Sequence, residues 1–206
     1  MLNINSMQFH KLPVEFYQKD VRKIAPKLIG KYLVKKEEHQ YLLGKIVEVE
    51  AYADKVDEAS HSFIGMTKRN APMFSSGGKL YVYFIYGNHF CCNVVCGKEG
   101  IGSAVLIRAL EPLKGIEAMA ERRFQKSEVT GKEFLNLTNG PGKICKAFNI
   151  SKDQNGIDLY GEDMFIAEGE KVPKKNIIQT PRIGITKSKD LSWRFYLKDN
   201  PFVSIR

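Results

Sequence analysis

The sequence has few cysteines and no long apolar run, and both shortages narrow the class of protein. Its four cysteines, Cys91, Cys92, Cys96 and Cys145, show no C-x-x-C spacing, which disfavours a zinc site or a disulfide framework. We therefore expect reduced, buried thiols and no metal or other cofactor. No apolar run approaches the ~20 residues of a spanning helix, and no secretory segment opens the chain. These features predict a cytoplasmic protein without a membrane partner.

Acidic residues are also fewer than basic residues. The 206 residues include 23 Asp and Glu against 32 Lys and Arg, which gives a formal net charge of +9. Such an excess favours a polyanionic partner, and nucleic acid in particular if exposed aromatics accompany the basic residues. The length and the hydrophobic content of 43% predict a single domain, with about residues 1–12 as a flexible leader.

The apolar pattern predicts a mixed structure. Helical periodicity places helices after Asp20, from Pro112 and from Pro141. Alternation predicts strands over residues 31–35, 41–51, 80–86, 89–96, 103–110, 163–167, 182–185 and 193–197. A long loop over residues 54–76 separates two of these strands. The fold class expected is α+β: a single domain with a curved, mostly antiparallel β-sheet, flanking helices and a protruding β-hairpin.

The strand over residues 41–51 carries the best candidate for acid–base chemistry. Strict alternation puts Lys45, Val47, Val49 and Ala51 on one face and Ile46, Glu48, Glu50 and Tyr52 on the other. Glu50 beside Tyr52, on a face that otherwise meets aromatics, suits a general acid or base. A solvated face on which Glu48 and Glu50 pair with basic residues explains the pattern equally well.

Four further side chains need an explanation. Tyr86 precedes the Gly87-Asn88 break of the hairpin, where a polar residue is usual, and so suggests a wedge that enters another molecule. Arg108 interrupts an apolar strand and needs a partner or an anionic ligand, because an unpaired buried charge is costly. His61 has an ordinary alternative role as a loop histidine bound to a backbone carbonyl, and Tyr81 is assigned to sheet packing.

Seven motifs, in order along the chain, resemble the alkyladenine (3-methyladenine) DNA glycosylase family. They are Val47-Glu-Val-Glu-Ala-Tyr52, Glu58-Ala-Ser-His-Ser62, Arg69-Asn70, Met73-Phe74, Leu80-Tyr-Val-Tyr-Phe-Ile-Tyr-Gly87, Leu106-Ile-Arg-Ala-Leu-Glu-Pro112 and Asn139-Gly-Pro-Gly-Lys143. The similarity extends from about residue 14 to Pro201-Phe-Val-Ser204. It is to a bacterial member of the mammalian-type enzyme, and not to the helix-hairpin-helix type.

The resemblance implies a monofunctional glycosylase that flips alkylated purines out of duplex DNA and starts base excision repair, with deaminated purines as a further class of substrate. It implies that Glu50 activates the attacking water and that Tyr86 fills the gap in the base stack. Tyr52, His61, Tyr83 and Asn93 match the base pocket, whereas Arg69, Arg108, Lys143, Asn88 and His89 fall at DNA-binding positions. Asn88-His89 replaces the apolar-aromatic pair of the vertebrate pattern. The partner implied is damaged double-stranded DNA, bound by a monomer associated with the nucleoid.

The family match also bears on the hairpin register. A two-residue turn at Gly87-Asn88 would put Tyr83 and Asn93 on opposite faces of the ribbon. A three-residue loop over residues 87–89 pairs Tyr83 with Asn93 and Tyr86 with Phe90, and it makes Tyr86 point away from Tyr83. We predict this second register.

Two other functions fit part of the sequence. One is a nucleic-acid-binding module without catalysis, in which Tyr86 inserts into the nucleic acid and the basic face binds it. The other is a hydrolase of free nucleosides that uses Glu48 and Glu50, since alternate strand positions lie ~6.6–7 Å apart and inverting carboxylate pairs span a similar distance. Neither a hairpin wedge nor a basic surface serves a small substrate, and this disfavours the hydrolase.

Overall fold

One long strand carries most of the sheet in the computed structural model, which describes residues 8–204. Within this range the eight strands are β1 (Tyr32–Glu37), β2 (Gln40–Tyr52), β3 (Leu80–Ile85), β4 (His89–Val95), β5 (Ala104–Lys114), β6 (Met164–Ala167), β7 (Ile177–Thr180) and β8 (Arg194–Leu197). Their order is β3-β4-β5-β2-β1-β6, and β8 joins the second half of β2 and carries β7. Every named pair is antiparallel, and the sheet curls into a half-barrel.

Short helices cover one face of this sheet. They are α1 (Val14–Tyr17), α2 (Val21–Leu28), α3 (Ile116–Phe124), α4 (Gly131–Leu135) and α5 (Pro141–Ala147). Ile24 of α2, Met119 of α3 and Ile144 of α5 are fully or nearly fully buried in one core with the inward residues of the strands. The α+β class and the single domain are confirmed. No helix formed by residues 8–204 has the length and apolar character needed to cross a bilayer.

Two of the three predicted helix starts agree with the structure. The Asp20 carboxylate accepts the Arg22 N–H at 2.8 Å and caps α2, and α5 begins at Pro141. The third prediction is wrong: Pro112 lies in β5 opposite Gly44, beside an extra residue in β5. The helix starts four residues later, after Gly115, whose φ of 74° suits a residue without a Cβ.

A pair of bulges interrupts β2 and β5 where they cross the middle of the sheet. The partners are Ile46 with Leu110, Glu48 with Ala109 and Val49 with Ile107, so Val47 and Arg108 are the extra residues. The predicted alternation of side chains between the two faces of β2 is therefore wrong for Ile46 and Val47. Ile46 joins the main core together with Val49 and Ala51, whereas Val47 packs on the opposite side against Phe202.

The protruding hairpin has a different register from the one predicted. Ile85 pairs with His89 and Tyr83 pairs with Cys91, so the three-residue loop is Tyr86-Gly87-Asn88. Tyr86 takes a positive φ of 54° and begins the loop instead of pairing with Phe90. The shift moves the pairing by two residues, which preserves the side-chain faces. Tyr83 and Asn93 therefore share a face as expected, although Asn93 pairs with Tyr81.

Two smaller predictions also fail. Residues 182–185 form a loop and no strand, whereas the strand β7 was not predicted at all. The predicted leader over residues 1–12 lies outside the described residues as far as residue 7. Its end does not fit a leader, because Leu12 is buried and its N–H donates to the Ile166 carbonyl at 2.9 Å.

Candidate active site

A cavity of about 350 Å³ opens on the face of the sheet opposite the main core. Four strands, two loops and Pro141 at the start of α5 supply its wall, and the hairpin loop stands at its mouth. The residues that line it are Tyr52, Ala59, His61, Met73, Tyr81, Tyr83, Ile85, Tyr86, Cys91, Asn93, Leu106, Arg108, Pro141, Ile183, Gly184 and Ile185. The volume lies in the range of roughly 300–1,000 Å³ that is typical of small-molecule sites.

Three rings form an aromatic corner of the cavity. The His61 ring meets Tyr83 edge to face at a centroid distance of 4.5 Å, and its Nδ1 lies 3.0 Å from the Tyr81 hydroxyl. Burial and the nearby charge of Arg69 lower the pKa of His61, so the imidazole is neutral near pH 7. Burial raises the pKa of Tyr81 to about 12, which keeps its hydroxyl protonated.

Glu50 lies in β2 behind this aromatic corner and has no exposed surface. Three donors hold its carboxylate: the Tyr52 hydroxyl at 2.8 Å and Arg108 Nη1 at 3.3 Å on Oε2, and the Ile183 N–H at 2.7 Å on Oε1. Burial and the Glu50 charge raise the pKa of Tyr52, so its hydroxyl stays a donor. A carboxylate accepts about four hydrogen bonds, which leaves Oε1 with capacity for one more.

Glu48 lies two residues before Glu50 and is equally buried, but its partners differ. Its Oε1 accepts from Arg194 Nε at 2.7 Å and from Arg108 Nε at 3.1 Å. Its Oε2 accepts the Ser204 N–H at 2.7 Å. Arg108 therefore joins the two carboxylates and also lines the cavity, which resolves the question of what pairs with a charge inside an apolar strand.

Asn93 completes the floor of the cavity. Its side chain is almost fully buried, and Nδ2 donates to the Tyr81 carbonyl at 3.2 Å. This bond fixes the orientation of the amide toward the aromatic corner. The structure thus brings together all four predicted pocket residues, Tyr52, His61, Tyr83 and Asn93, with Glu50 immediately behind them.

The hairpin loop stands at the mouth of the cavity. Tyr86 is 81% exposed and borders the same cavity as Tyr83, and that the two side chains point apart stays a prediction. Exposed Arg69 lies beside the hairpin, where Nη2 donates to the Phe84 carbonyl at 3.1 Å and the guanidinium is 5.9 Å from the Tyr83 ring.

The remaining predicted DNA contacts flank the mouth. Asn88 and His89 are exposed at the end of the hairpin, and the His89 ring lies against Gly142 at the start of α5. Lys143, on the next position of α5, donates through Nζ to the side-chain carbonyls of Asn136 and Asn139 at 2.9 and 2.7 Å. Burial lowers the pKa of Lys143.

Several lining residues were missed by the sequence analysis. Tyr81 was assigned to packing, and the loop over residues 183–185 was predicted to be a strand. Cys91 and Leu106 each sit one residue from a core position in their strands, so alternation could have identified them. Met73 lies in a short 3₁₀ helix at Ala71–Phe74. Pro72 is the only residue in that segment whose type indicates a helix start.

The four cysteines all lie within residues 8–204. All four cysteines are free and buried, as expected. Burial raises the pKa of Cys91 to about 11 and of Cys96 further still, which suppresses thiolate reactivity. In this part of the chain no three His, Cys, Asp or Glu residues come together in a way that could hold a metal ion.

Comparison with known proteins agrees with this site. The family model described as methylpurine-DNA glycosylase matches residues 15–201. Proteins that carry the provisional name 3-methyladenine DNA glycosylase in Clostridium tetani and Alkaliphilus oremlandii are each 46% identical to the chain over 200 residues, which covers 94% of this chain and 98% of theirs. One from Clostridium botulinum is 44% identical over 208 residues, covering 95% of this chain and 100% of its own. The chain therefore belongs to the methylpurine-DNA glycosylase family of enzymes.

Proposed function

We propose that the protein is a monofunctional DNA glycosylase that removes 3-methyladenine, 7-methylguanine and related alkylated purines, and deaminated purines, from duplex DNA. The observation that carries the proposal is the fully buried Glu50 carboxylate behind an aromatic cavity of purine-binding character. A base in a duplex must leave the stack before its glycosidic bond is accessible, and this costs least for a damaged, poorly paired base.

The aromatic corner explains the preference for alkylated bases. A purine alkylated at N3 or N7 is cationic, and the faces of Tyr83 and Tyr52 attract a cation by about 0.5–2 kcal/mol. The lowered pKa of His61 leaves its ring uncharged, so it adds no positive charge to that of Arg108, which Glu48 and Glu50 balance. Asn93, with its amide held by the Tyr81 carbonyl, is assigned to a clash with the exocyclic amine of guanine. This clash disfavours unmodified guanine, and the positive charge of 7-methylguanine offsets it.

Glu50 is assigned to water activation. Its free acceptor capacity on Oε1 suits one water, and the carboxylate takes the proton of that water as its oxygen bonds to C1′ and the C1′–N bond to the purine breaks. A cationic alkylated purine leaves as a neutral base and Glu50 returns the proton to solvent, whereas neutral hypoxanthine takes up a proton as it leaves. The negative charge also stabilises the oxocarbenium-like sugar, as glycosidase carboxylates do. No lysine lines the cavity in the part of the chain that the structure describes, so base removal leaves the DNA strand intact.

DNA binding is assigned to the mouth of the cavity. Tyr86 enters the gap in the stack, and Arg69, Asn88, His89 and Lys143 contact the surrounding backbone and minor groove. Arg108 lines the cavity and is assigned to the flipped nucleotide. The enzyme is proposed to act as a monomer, since one chain supplies the complete site.

The nucleoside-hydrolase alternative requires Glu48 as a second reactive carboxylate. Glu48 and Glu50 each accept three hydrogen bonds, but the donors to Glu50 all belong to residues that line the cavity. Of the donors to Glu48, Arg194 and Ser204 lie outside that lining. This arrangement favours a structural role for Glu48 and disfavours the hydrolase.

The proposal is tested with duplex DNA that contains one 7-methylguanine or one hypoxanthine. We expect the native protein to release the free base and to leave a strand that breaks only after alkali. Glu50→Gln should abolish release and keep DNA binding. Glu111→Gln serves as the matched control, because Glu111 pairs with Lys45 at 2.9 Å away from the cavity. Full activity in Glu50→Gln, or hydrolysis of free nucleosides by the native protein at a comparable rate, would contradict the proposal.

A further inference from the structure

A fully buried ion pair joins Asp57 and Arg182 behind the cavity wall. Arg182 Nη1 and Nη2 donate to the two Asp57 oxygens at 2.6 and 2.7 Å, and neither side chain is exposed. A buried ion pair is weak evidence for stability, because the loss of hydration offsets much of the attraction between the charges. The groups that this pair holds in place are more informative.

Arg182 fixes the part of β2 that carries Glu50. Its Nη1 also donates to the Ala51 carbonyl at 2.9 Å. The guanidinium lies over the Tyr52 ring at 4.5 Å and faces the Trp193 ring at 5.4 Å, both within cation–π range. Because the Tyr52 hydroxyl donates to Glu50, the position of Arg182 sets the position of a donor to the reactive carboxylate.

Asp57 fixes the loop that supplies a second wall. Its Oδ2 accepts the Ala53 N–H at 3.3 Å, and its Oδ1 accepts the Ala59 N–H at 3.1 Å. Ala59 lines the cavity, and His61 follows two residues later. The carboxylate that neutralises Arg182 therefore also shapes the backbone that carries the pocket histidine.

The residue after Arg182 contacts Glu50 directly. The Ile183 N–H donates to Glu50 Oε1 at 2.7 Å, on the same oxygen that has capacity left for a water. Ile183, Gly184 and Ile185 form a third wall of the cavity. Anchoring Arg182 thus determines where this N–H lies and which direction remains open on Oε1.

We infer that the Asp57–Arg182 pair is a positioning device for bond cleavage, which holds Glu50 and three walls of the cavity in one arrangement. Both residues act through Glu50, Tyr52 and the two loops, without touching the substrate. The inference rests on the proposed function, because the step it concerns is base release. Loss of the pair should lower the cleavage rate far more than it weakens DNA binding, since misplacement of catalytic groups by about 1 Å costs up to ~10²-fold in rate.

The experiment compares two variants of the pair with one matched control. Arg182→Lys keeps the charge but removes the planar fork that binds Asp57 through two nitrogens, and Asp57→Asn removes the charge with little change of shape. Arg122→Lys is the control, because Arg122 also binds a carboxylate, Glu37 at 2.9 Å, and a backbone carbonyl, Ala147 at 3.1 Å. Arg122 is not among the residues that line the cavity.

Three quantities separate positioning from folding. The single-turnover rate of base release is measured at saturating enzyme on the hypoxanthine duplex. Binding of the same duplex is measured in a Glu50→Gln background, in which the base stays attached. Fluorescence of Trp193, the single tryptophan of the chain, reports on the surroundings of Arg182, and a thermal melt checks folding.

For Arg182→Lys we expect a rate roughly 10–100-fold lower, binding within about threefold of the parent, and altered Trp193 emission. Asp57→Asn should show a smaller loss with the same pattern, and it decides the question if Arg182→Lys does not fold. Arg122→Lys should keep its rate and emission. Folded pair variants that cleave within threefold of the native rate, or that lose rate and binding equally, would overturn the inference. Absence of base release by the native protein would instead contradict the proposed function.

Discussion

On one face of β5, Val105, Ile107 and Leu110 pack into the main core, whereas on the other face Leu106 and Arg108 border the cavity. The two faces consist of neighbouring residues in the same strands, yet only the second contains buried charges. Packing of apolar side chains explains the first face completely. The second face buries Glu48, Glu50 and Arg108 at a desolvation cost and gains a site for chemistry.

The difference between the faces predicts different consequences of substitution. Changes on the helix-covered face should lower stability and leave the activity of the folded fraction unchanged. Changes on the cavity face should affect rate or DNA binding, except where a side chain balances a buried charge. Four experiments test this contrast, and the first addresses the exception.

Glu48→Ala should be the most destabilising change on the cavity face. It leaves Arg194 and Arg108 without a carboxylate that each now contacts within 3.1 Å, and breaking one side of a buried ion pair costs about 3–5 kcal/mol. Urea unfolding measures the loss of unfolding free energy. Glu50→Gln, which keeps shape and hydrogen-bonding capacity, should lose much less stability and nearly all activity. A stable Glu48→Ala protein would show that the two carboxylates are not distinct in role.

Ile107→Ala and Leu106→Ala compare adjacent residues on opposite faces. Both side chains are buried, at 0% and 4% exposure, but only Ile107 is enclosed by the main core. Its truncation should cost about 2–5 kcal/mol of unfolding free energy. Truncation of Leu106 enlarges a cavity that already exists, so it should cost less than half as much and weaken retention of the flipped base. Equal losses of stability would contradict the contrast between the faces.

Tyr86→Ala should weaken capture of the damaged base without affecting stability. Stacking of an aromatic side chain on a base contributes about 1–3 kcal/mol, and Tyr86 is 81% exposed, so the folded protein loses little packing. Ile64→Ala is the control because Ile64 has the same exposure of 81%. Fluorescence anisotropy with a lesion-containing duplex measures the affinity. Identical affinities for the two variants would remove the wedge role from Tyr86.

His61 should produce the smallest effect, a dependence of stability on pH. Its pKa is lowered in the folded protein by burial and by Arg69, whereas the unfolded chain titrates near pH 6.5. The unfolded state therefore binds more protons below about pH 6.5, and stability is lost as the pH falls from there through the folded pKa. Melting temperatures at pH 7.5 and 5.5 should differ more for the native protein than for His61→Gln. An equal pH dependence would show that His61 makes no such contribution.

Local patterns in the sequence were sufficient for most of the helix-covered face. The Asp20 cap depends on neighbouring residues, and alternation in β4 separates Cys92 and Val94 from Asn93. The family motifs led to the pocket residues, since chemistry fixes their types. Each of these signals lies within a few residues of the feature that it predicts.

The errors have a different origin. The bulge at Val47 and Arg108 depends on how two strands far apart in sequence align, which alternation within either strand does not reveal. Pro112 is typical of a helix start, and only its pairing with Gly44 in the sheet shows that it belongs to a strand. Arg182 belongs to the site through partners at positions 51 and 57, more than a hundred residues earlier. No local pattern contains that information.

The contacts of Glu48 have a consequence for how the protein is made. This carboxylate receives its partners from Arg194 and from Ser204, which follow it by 146 and 156 residues. During synthesis β2 leaves the ribosome long before these residues exist, so the nascent strand carries an acidic pair that no distant arginine yet neutralises. Arrival of β8 and the segment after it completes the electrostatic balance. The charge balance around Glu48 is thus reached only once residues 194–204 have been synthesised, the stage at which Phe195 also joins the main core.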